Sequence, residues 1–246
     1  HSPGLAKRES ALTLSRMVHF TLFGIPVYIR PSFWVVLAIF GGALSISSVE
    51  DLIYPALFVI AGFIAILSHE MGHALVGRRL GGGQQTIVLE LFGGLTSSHG
   101  MQLTRGGRAL MILAGPMMTL LLGIISLWLT WNIVAPVMAS HNLDFWDLAI
   151  SPFTAALISP KLYILSCLIM IGEWWTLLNL LPIYPLDGGQ LIAQYIRSPR
   201  KVFMTGFITA ILIGLLSFQL FHGYFIPIFM ALFAYSNYRE YKNAPF

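Results

Sequence analysis

Six stretches of this 246-residue sequence, at about 33–49, 53–77, 108–136, 162–181, 202–221 and 223–238, are apolar over close to the length a helix needs to cross a bilayer. A spanning helix takes roughly 17–25 such residues, because about 1.5 Å of rise per residue must cover about 30 Å of hydrocarbon. Only 10% of the residues are Asp, Glu, Lys or Arg, against 57% apolar. Soluble domains carry about a quarter charged residues, so a soluble enzyme and a disordered chain are both excluded. The single cysteine, Cys167, lies inside an apolar run and leaves no intramolecular disulfide framework.

The charges orient the spans. With the N-terminus in the cytosol, 13 of the 14 basic residues fall on the inner side, from Lys7, Arg8, Arg16 and Arg30 through Arg78, Arg79, Arg105 and Arg108 to Arg197, Arg200, Lys201, Arg239 and Lys242. Lys161 alone falls outside, where Glu50, Asp51, Asp144 and Asp147 also lie. This positive-inside asymmetry places both termini in the cytosol. It also accounts for the net charge of +4 without a nucleic-acid partner. Residues 1–16 lack a signal-peptide core and read as a leader or an expression scar, leaving 17–246 as one polytopic membrane domain.

Two segments do not read as spans. Residues 81–104, GGGQQTIVLELFGGLTSSHGMQLT, lie between two basic pairs on the same side of the membrane. Their Thr, Val and Ile content and the Gly93-Gly94 break predict a β-hairpin dipping in from the cytosolic side. Residues 179–189, NLLPIYPLDGG, carry two prolines and a glycine pair, which predict a break after the fourth helix. The expected fold is an all-α membrane protein, with six transmembrane helices and a re-entrant β-hairpin between the second and third.

The second span ends in Ser68-His69-Glu70-Met71-Gly72-His73, an H-E-x-x-H motif. Positions four apart on a helix lie about 40° apart and one turn along. His69 and His73 can thus bind one metal ion, with Glu70 beside them as general base for a water. An ionisable triplet at membrane depth costs at least ~2.5–3.5 kcal/mol per charged group near the bilayer centre, which marks a functional site.

Zinc needs a further ligand. The acids at membrane depth besides Glu70 are Glu90, Glu173 and Asp187. His69 lies nine residues before Arg78 and Asp187 ten before Arg197, depths of about 13 and 15 Å at helical rise. Those depths match. Glu173 falls nearer the bilayer centre, where packing is the favoured role, and Glu90 is freer to face water. Asp187 is therefore the expected third ligand, completing a His₂Asp set for one Zn2+ per chain.

The H-E-x-x-H and the downstream Asn179-Leu180-Leu181-Pro182-Ile183-Tyr184-Pro185-Leu186-Asp187-Gly188-Gly189 together resemble the site-2 protease family of intramembrane zinc metalloproteases. The likeness extends over about residues 18–196, including Phe92-Gly93-Gly94. The opening FTLFGIPVYIRPSFW is similar to the sporulation-protease branch, here without a CBS or PDZ domain. The resemblance implies that His69, His73 and Asp187 hold zinc, that Glu70 is the base, and that Phe92, Gly93, Gly94, Asn179 and Pro182 contact the substrate backbone. It implies a bacterial cell membrane, a transmembrane protein as substrate, lipid contact throughout, and a regulatory membrane protein as a candidate partner. Where the family often carries Asn, Ser or Gly on the third helix, this chain has Thr119.

A helical substrate hides its carbonyls in hydrogen bonds, so a protease must unwind it and could hold the opened segment by strand addition to the hairpin. Proline at hairpin positions 88 or 90 is expected to weaken turnover more than zinc content. Two other readings use the same ligands: a metal-ion transporter, and an integral-membrane H-E-x-x-H protease of the prenyl-peptide type with a downstream Glu ligand. The first needs a polar path to both faces, yet the first, third, fifth and sixth spans hold no acid or His.

Overall fold

The computed structural model describes residues 18–245, apart from 92, 101, 142–144 and 223. The expected leader at 1–16 lies outside the described residues. In chain order the elements are β1 (Val18–Leu22), β2 (Ile25–Ile29), α1 (Pro31–Phe40), α2 (Ile53–Gly81), β3 (Gln84–Glu90), β4 (Gly93–His99), α3 (Arg105–His141), the short α4 (Phe145–Ile150) and α5 (Pro152–Ala156), α6 (Pro160–Asn179), α7 (Asp187–Ala193), α8 (Pro199–Phe221) and α9 (Phe225–Asn243).

Four of these helices are long and apolar enough to cross a membrane: Ile53–Gly81, Arg105–Ala135, Pro160–Asn179 and Pro199–Leu220. Their outer faces are apolar too. On α3, Met117, Ile124 and Trp128 are each more than 60% exposed, a surface suited to lipid and not to water.

The stretch expected as a first span at 33–49 forms only a ten-residue helix, α1. At about 1.5 Å per residue, α1 covers roughly half of the hydrocarbon thickness. Gly41 and Gly42 end it, Gly42 with φ +88°, and a 3-10 turn follows at Ala43–Ser45. The apolar composition is real; the glycine pair stops the helix within it.

The hairpin forms where expected, as β3 and β4, but as part of a four-stranded sheet in the order β1-β2-β3-β4. An all-α description therefore leaves out a β layer. β1 and β2 are joined by a turn with positive φ at Phe23 (51°) and Gly24 (74°), the pair of signs a two-residue type I′ turn needs. Arg78 Nη1 donates to Phe23 O at 2.8 Å, tying that turn to the end of α2. β2 then runs parallel to β3, with Val27 opposite Ile87 and Ile29 opposite Leu89. Ile25, Val27, Ile29, Ile87 and Leu89 form one inward face, packed with Phe33 and Leu37 of α1 against Ile66, Met71 and Ala74 of α2.

This register alters the expectation for positions 88 and 90. Val88 is paired with Tyr28 on one side and Leu95 on the other, so β3 is an interior strand. Proline there would break the sheet itself. The strands with an open side are β1 and β4, at the two ends of the sheet order, and of these β4 belongs to the hairpin.

Behind the sheet, α2, α3 and α6 pack together. Thr119 of α3 and Thr176 of α6 lie 2.7 Å apart at their hydroxyls, both buried. α8 and α9 form a second unit, in which Ala210, Met230 and Ala234 close over Ile183 of the loop before α7.

Candidate metal centre

The break in NLLPIYPLDGG falls where the prolines place it: α6 ends at Asn179 and α7 begins with Asp187. The intervening loop folds back tightly, with a cis bond between Tyr184 and Pro185. A Cβ at Gly188 would strike the backbone of Leu180 and Leu181, and one at Gly189 the backbone of Ile183 and Tyr184. The glycine pair thus lets α7 start directly against the loop it leaves. Asn237 of α9 donates from Nδ2 to Tyr184 O at 2.6 Å and fastens that loop from the other side.

This arrangement carries Asp187 to the H-E-x-x-H face of α2. His69 Nε2 lies 3.0 Å from Asp187 Oδ2, His73 Nε2 lies 3.3 Å from the same oxygen, and the two Nε2 atoms are 3.1 Å apart. All three residues are buried, with exposures of 1%, 8% and 5% for His69, His73 and Asp187. His69, His73 and Asp187 form a group that could hold one metal ion.

The geometry suits zinc. An ion about 2.0–2.1 Å from each ligand in a tetrahedral array separates the ligand atoms by about 3.3 Å, close to the separations here. His73 Nδ1 donates to Met111 O at 2.8 Å, which in the neutral ring turns the Nε2 lone pair toward the cluster. Gly115 of α3 makes the room: a Cβ there would overlap His73 and His69 at their Nε2 atoms. The resemblance picks out Gly115 as the start of the third-helix pattern, but its contact with the two imidazoles appears only once α2 and α3 are packed.

Glu70 sits beside the cluster, 5% exposed, and lines a cavity of about 570 Å³ together with His69, His73 and Asp187. Gly93, Gly94, Leu95 and Thr96 of β4 form one wall, and Asn179, Tyr184 and Pro185 another. Thr96 Oγ1 donates to Glu70 Oε2 at 2.8 Å. Asn179 spends its Nδ2 on Trp175 O at 2.9 Å while its side chain lines the cavity. A second, apolar cavity of about 520 Å³ lies alongside and shares Gly93, Trp175 and Phe229 with the first.

Of the expected substrate contacts, Gly93, Gly94 and Asn179 line the cavity and Pro182 does not; Phe92 lies outside the described residues. Glu173 is exposed on α6 and is not part of the cavity wall. Glu90 reaches the rim but pairs with Arg30 at 3.1 Å. Thr119 bonds Thr176 and Pro116 O inside the helix packing, away from the cavity. Residues that sequence reasoning passed over are Thr96, Asn237 and the Met111 carbonyl, and Gly115 was noted there only as the start of the third-helix pattern that ends in Thr119. For Thr96 the available signal was its place two residues after Gly94, on the same face of a strand.

Residues 57–221 match the family described as Peptidase family M50. The chain is 27% identical over 227 residues to Zinc metalloprotease MJ0392 of Methanocaldococcus jannaschii, covering 88% of this chain and 57% of that protein. It thus spans little more than half the length of that curated relative. Among solved structures, the Site-2 Protease from Methanocaldococcus jannaschii has a similar fold, with a TM-score of 0.58 at 23% identity, covering 92% of this chain and 95% of the other.

Proposed function

The chain belongs to peptidase family M50, and from that premise we propose that it is an intramembrane zinc metalloendopeptidase. It hydrolyses a peptide bond in or next to the transmembrane segment of a membrane-protein substrate. The observation that carries this reading is the meeting of His69, His73 and Asp187, 118 residues apart in sequence at the extremes, in a cluster with Glu70 at its edge.

His69 and His73 through Nε2 and Asp187 through Oδ2 would hold the zinc ion. Bound there, zinc supplies Lewis acidity, which lowers the pKa of a water toward ~7 and polarises a carbonyl. Glu70 takes the proton of the attacking water on a carboxylate oxygen and delivers it to the departing amide nitrogen. The open side of β4 receives an unwound substrate segment as an added strand, replacing the helix hydrogen bonds that the segment gave up. Asn179 offers its amide oxygen to a second backbone N–H. The adjoining apolar cavity accommodates side chains of the part of the substrate that remains in lipid.

Topologically, α2, α3, α6 and α8 cross the membrane. α1 with the turns after it makes a first passage, and α9 makes a sixth. Both ends then lie in the cytosol, with β3 and β4 entering from that side. This matches the basic residues at 78–79, 105–108 and 197–201. A bacterial cell membrane is the setting, and a regulatory membrane protein is a candidate partner. Residues 17–246 act as one membrane domain.

The test is co-expression with tagged single-pass membrane proteins, comparing the wild type with Glu70→Gln. The expected result is a cleaved fragment from the wild type only, with zinc retained by both. Cleavage at wild-type rate by Glu70→Gln overturns the general-base assignment.

A further inference from the structure

The inward face of β4 departs from its neighbours. β2 turns Ile25, Val27 and Ile29 toward α2, and β3 turns Ile87 and Leu89, none more than 2% exposed. The cross-strand register continues that face onto β4 as Gly94 opposite Leu89 and Thr96 opposite Ile87. A valine has the same shape as threonine and suits such a face by apolar packing. The chain places a hydroxyl there instead.

That hydroxyl meets Glu70. Thr96 Oγ1 is 2.8 Å from Glu70 Oε2 and 3.2 Å from the Glu70 main-chain oxygen. Two residues earlier, a Cβ at Gly94 would overlap Cγ and Cδ of Glu70. One position on β4 therefore leaves the carboxylate its space, and the next on the same face grips it. Among the described residues no other group donates to the Glu70 carboxylate.

We propose that Thr96 is a positioning residue for Glu70. Its hydroxyl donates to Oε2, fixes the carboxylate plane and leaves Oε1 toward the cavity to receive a proton. Because Thr96 stands on the strand whose open side takes the substrate, one strand sets both the scissile bond and the base, so their separation does not depend on the placing of another element. Misplacing a catalytic group by about 1 Å can cost on the order of 100-fold in rate, which is the scale on which a shared strand matters. The inference rests on the reading of Glu70 as general base.

Thr96→Val removes the hydroxyl and keeps the shape; Thr96→Ser keeps the hydroxyl. In detergent, with fluorescently labelled casein as the probe substrate, Thr96→Val is expected to lower kcat about 10–100-fold, the scale of a lost hydrogen bond to a charged group. KM and zinc per chain are expected to stay near wild type, and Thr96→Ser to recover most of the rate. An unchanged kcat in Thr96→Val, or a Thr96→Ser as impaired as Thr96→Val, overturns the proposal. A readout independent of turnover is the infrared carboxylate band assigned to Glu70 by its loss in Glu70→Gln. That band is expected to move in Thr96→Val and to return in Thr96→Ser; a band that stays in place overturns the proposal whatever the kinetics. If Glu70→Gln itself cleaves casein normally, the general-base reading fails. If Glu70→Gln is inert and Thr96→Val is fully active, only the role of Thr96 fails.

Discussion

The two halves of the metal cluster are held in opposite ways. His69 and His73 stand one turn apart on α2, a 29-residue helix whose backbone satisfies itself at any depth. Their spacing comes from the helix, and Gly115 of the neighbouring α3 clears the volume they share. Asp187 comes from the end of an irregular loop. Its place depends on Gly188 and Gly189 fitting against Leu180–Tyr184 and on one hydrogen bond from Asn237 of α9. The histidine half is thus local and preorganised. The carboxylate half is non-local, so the α8–α9 unit holds the loop that leads into a ligand. A site built this way keeps its two imidazoles when the C-terminal helices are disturbed and loses its third ligand first.

Substitutions on each side sharpen that contrast. The largest effect is expected from Gly115→Val, whose added carbons must displace both imidazoles. Zinc per chain should fall to near zero, with overpacking destabilising the fold by about 1–3 kcal/mol, read by metal analysis and thermal unfolding. Next is Asn237→Ala, which leaves the Tyr184 carbonyl without its donor at a cost of about 1–3 kcal/mol. Zinc affinity should fall by about 10–100-fold, as for other supporting partners of metal ligands. Zinc binding that is unchanged in this variant would break the idea that α9 holds the carboxylate half. Thr176→Val, which cuts the tie between α3 and α6, should cost only about 0.6–2 kcal/mol in stability, with zinc retained. Smallest is Glu90→Ala. Its partner is Arg30 and both side chains are more than a third exposed, so thermal stability should change by less than about 1 kcal/mol.

The same contrast explains what could be read from the sequence. The histidine pair was legible because helical periodicity alone brings positions 69 and 73 together. Asp187 was legible because it stands about as far before Arg197 as His69 stands before Arg78, and the prolines mark the break. The β1–β2 hairpin was not, although Ile25, Val27 and Ile29 alternate cleanly: β1 pairs locally with β2, but the strand that holds β2 in the sheet is the parallel β3, with register partners 60 residues apart. Nothing local names that partner. The shortness of α1 was written in Gly41-Gly42, but an apolar run outweighed a glycine pair in the reading. Glu173, expected to pack, is exposed, since hydropathy gives depth along a helix and not the direction a side chain faces. Thr96 and Gly115 act across element boundaries, where only the assembled fold brings their partners into view.

Everything chemical in this account follows from three side chains closing on a single ion. Metal analysis of the purified wild type and of Asp187→Ala in the same detergent tests this directly. Close to one zinc per wild-type chain is expected, with a loss of affinity of roughly 100-fold or more when Asp187 is removed. A wild-type chain without zinc, or an Asp187→Ala chain that binds it as tightly as the wild type, would contradict that expectation.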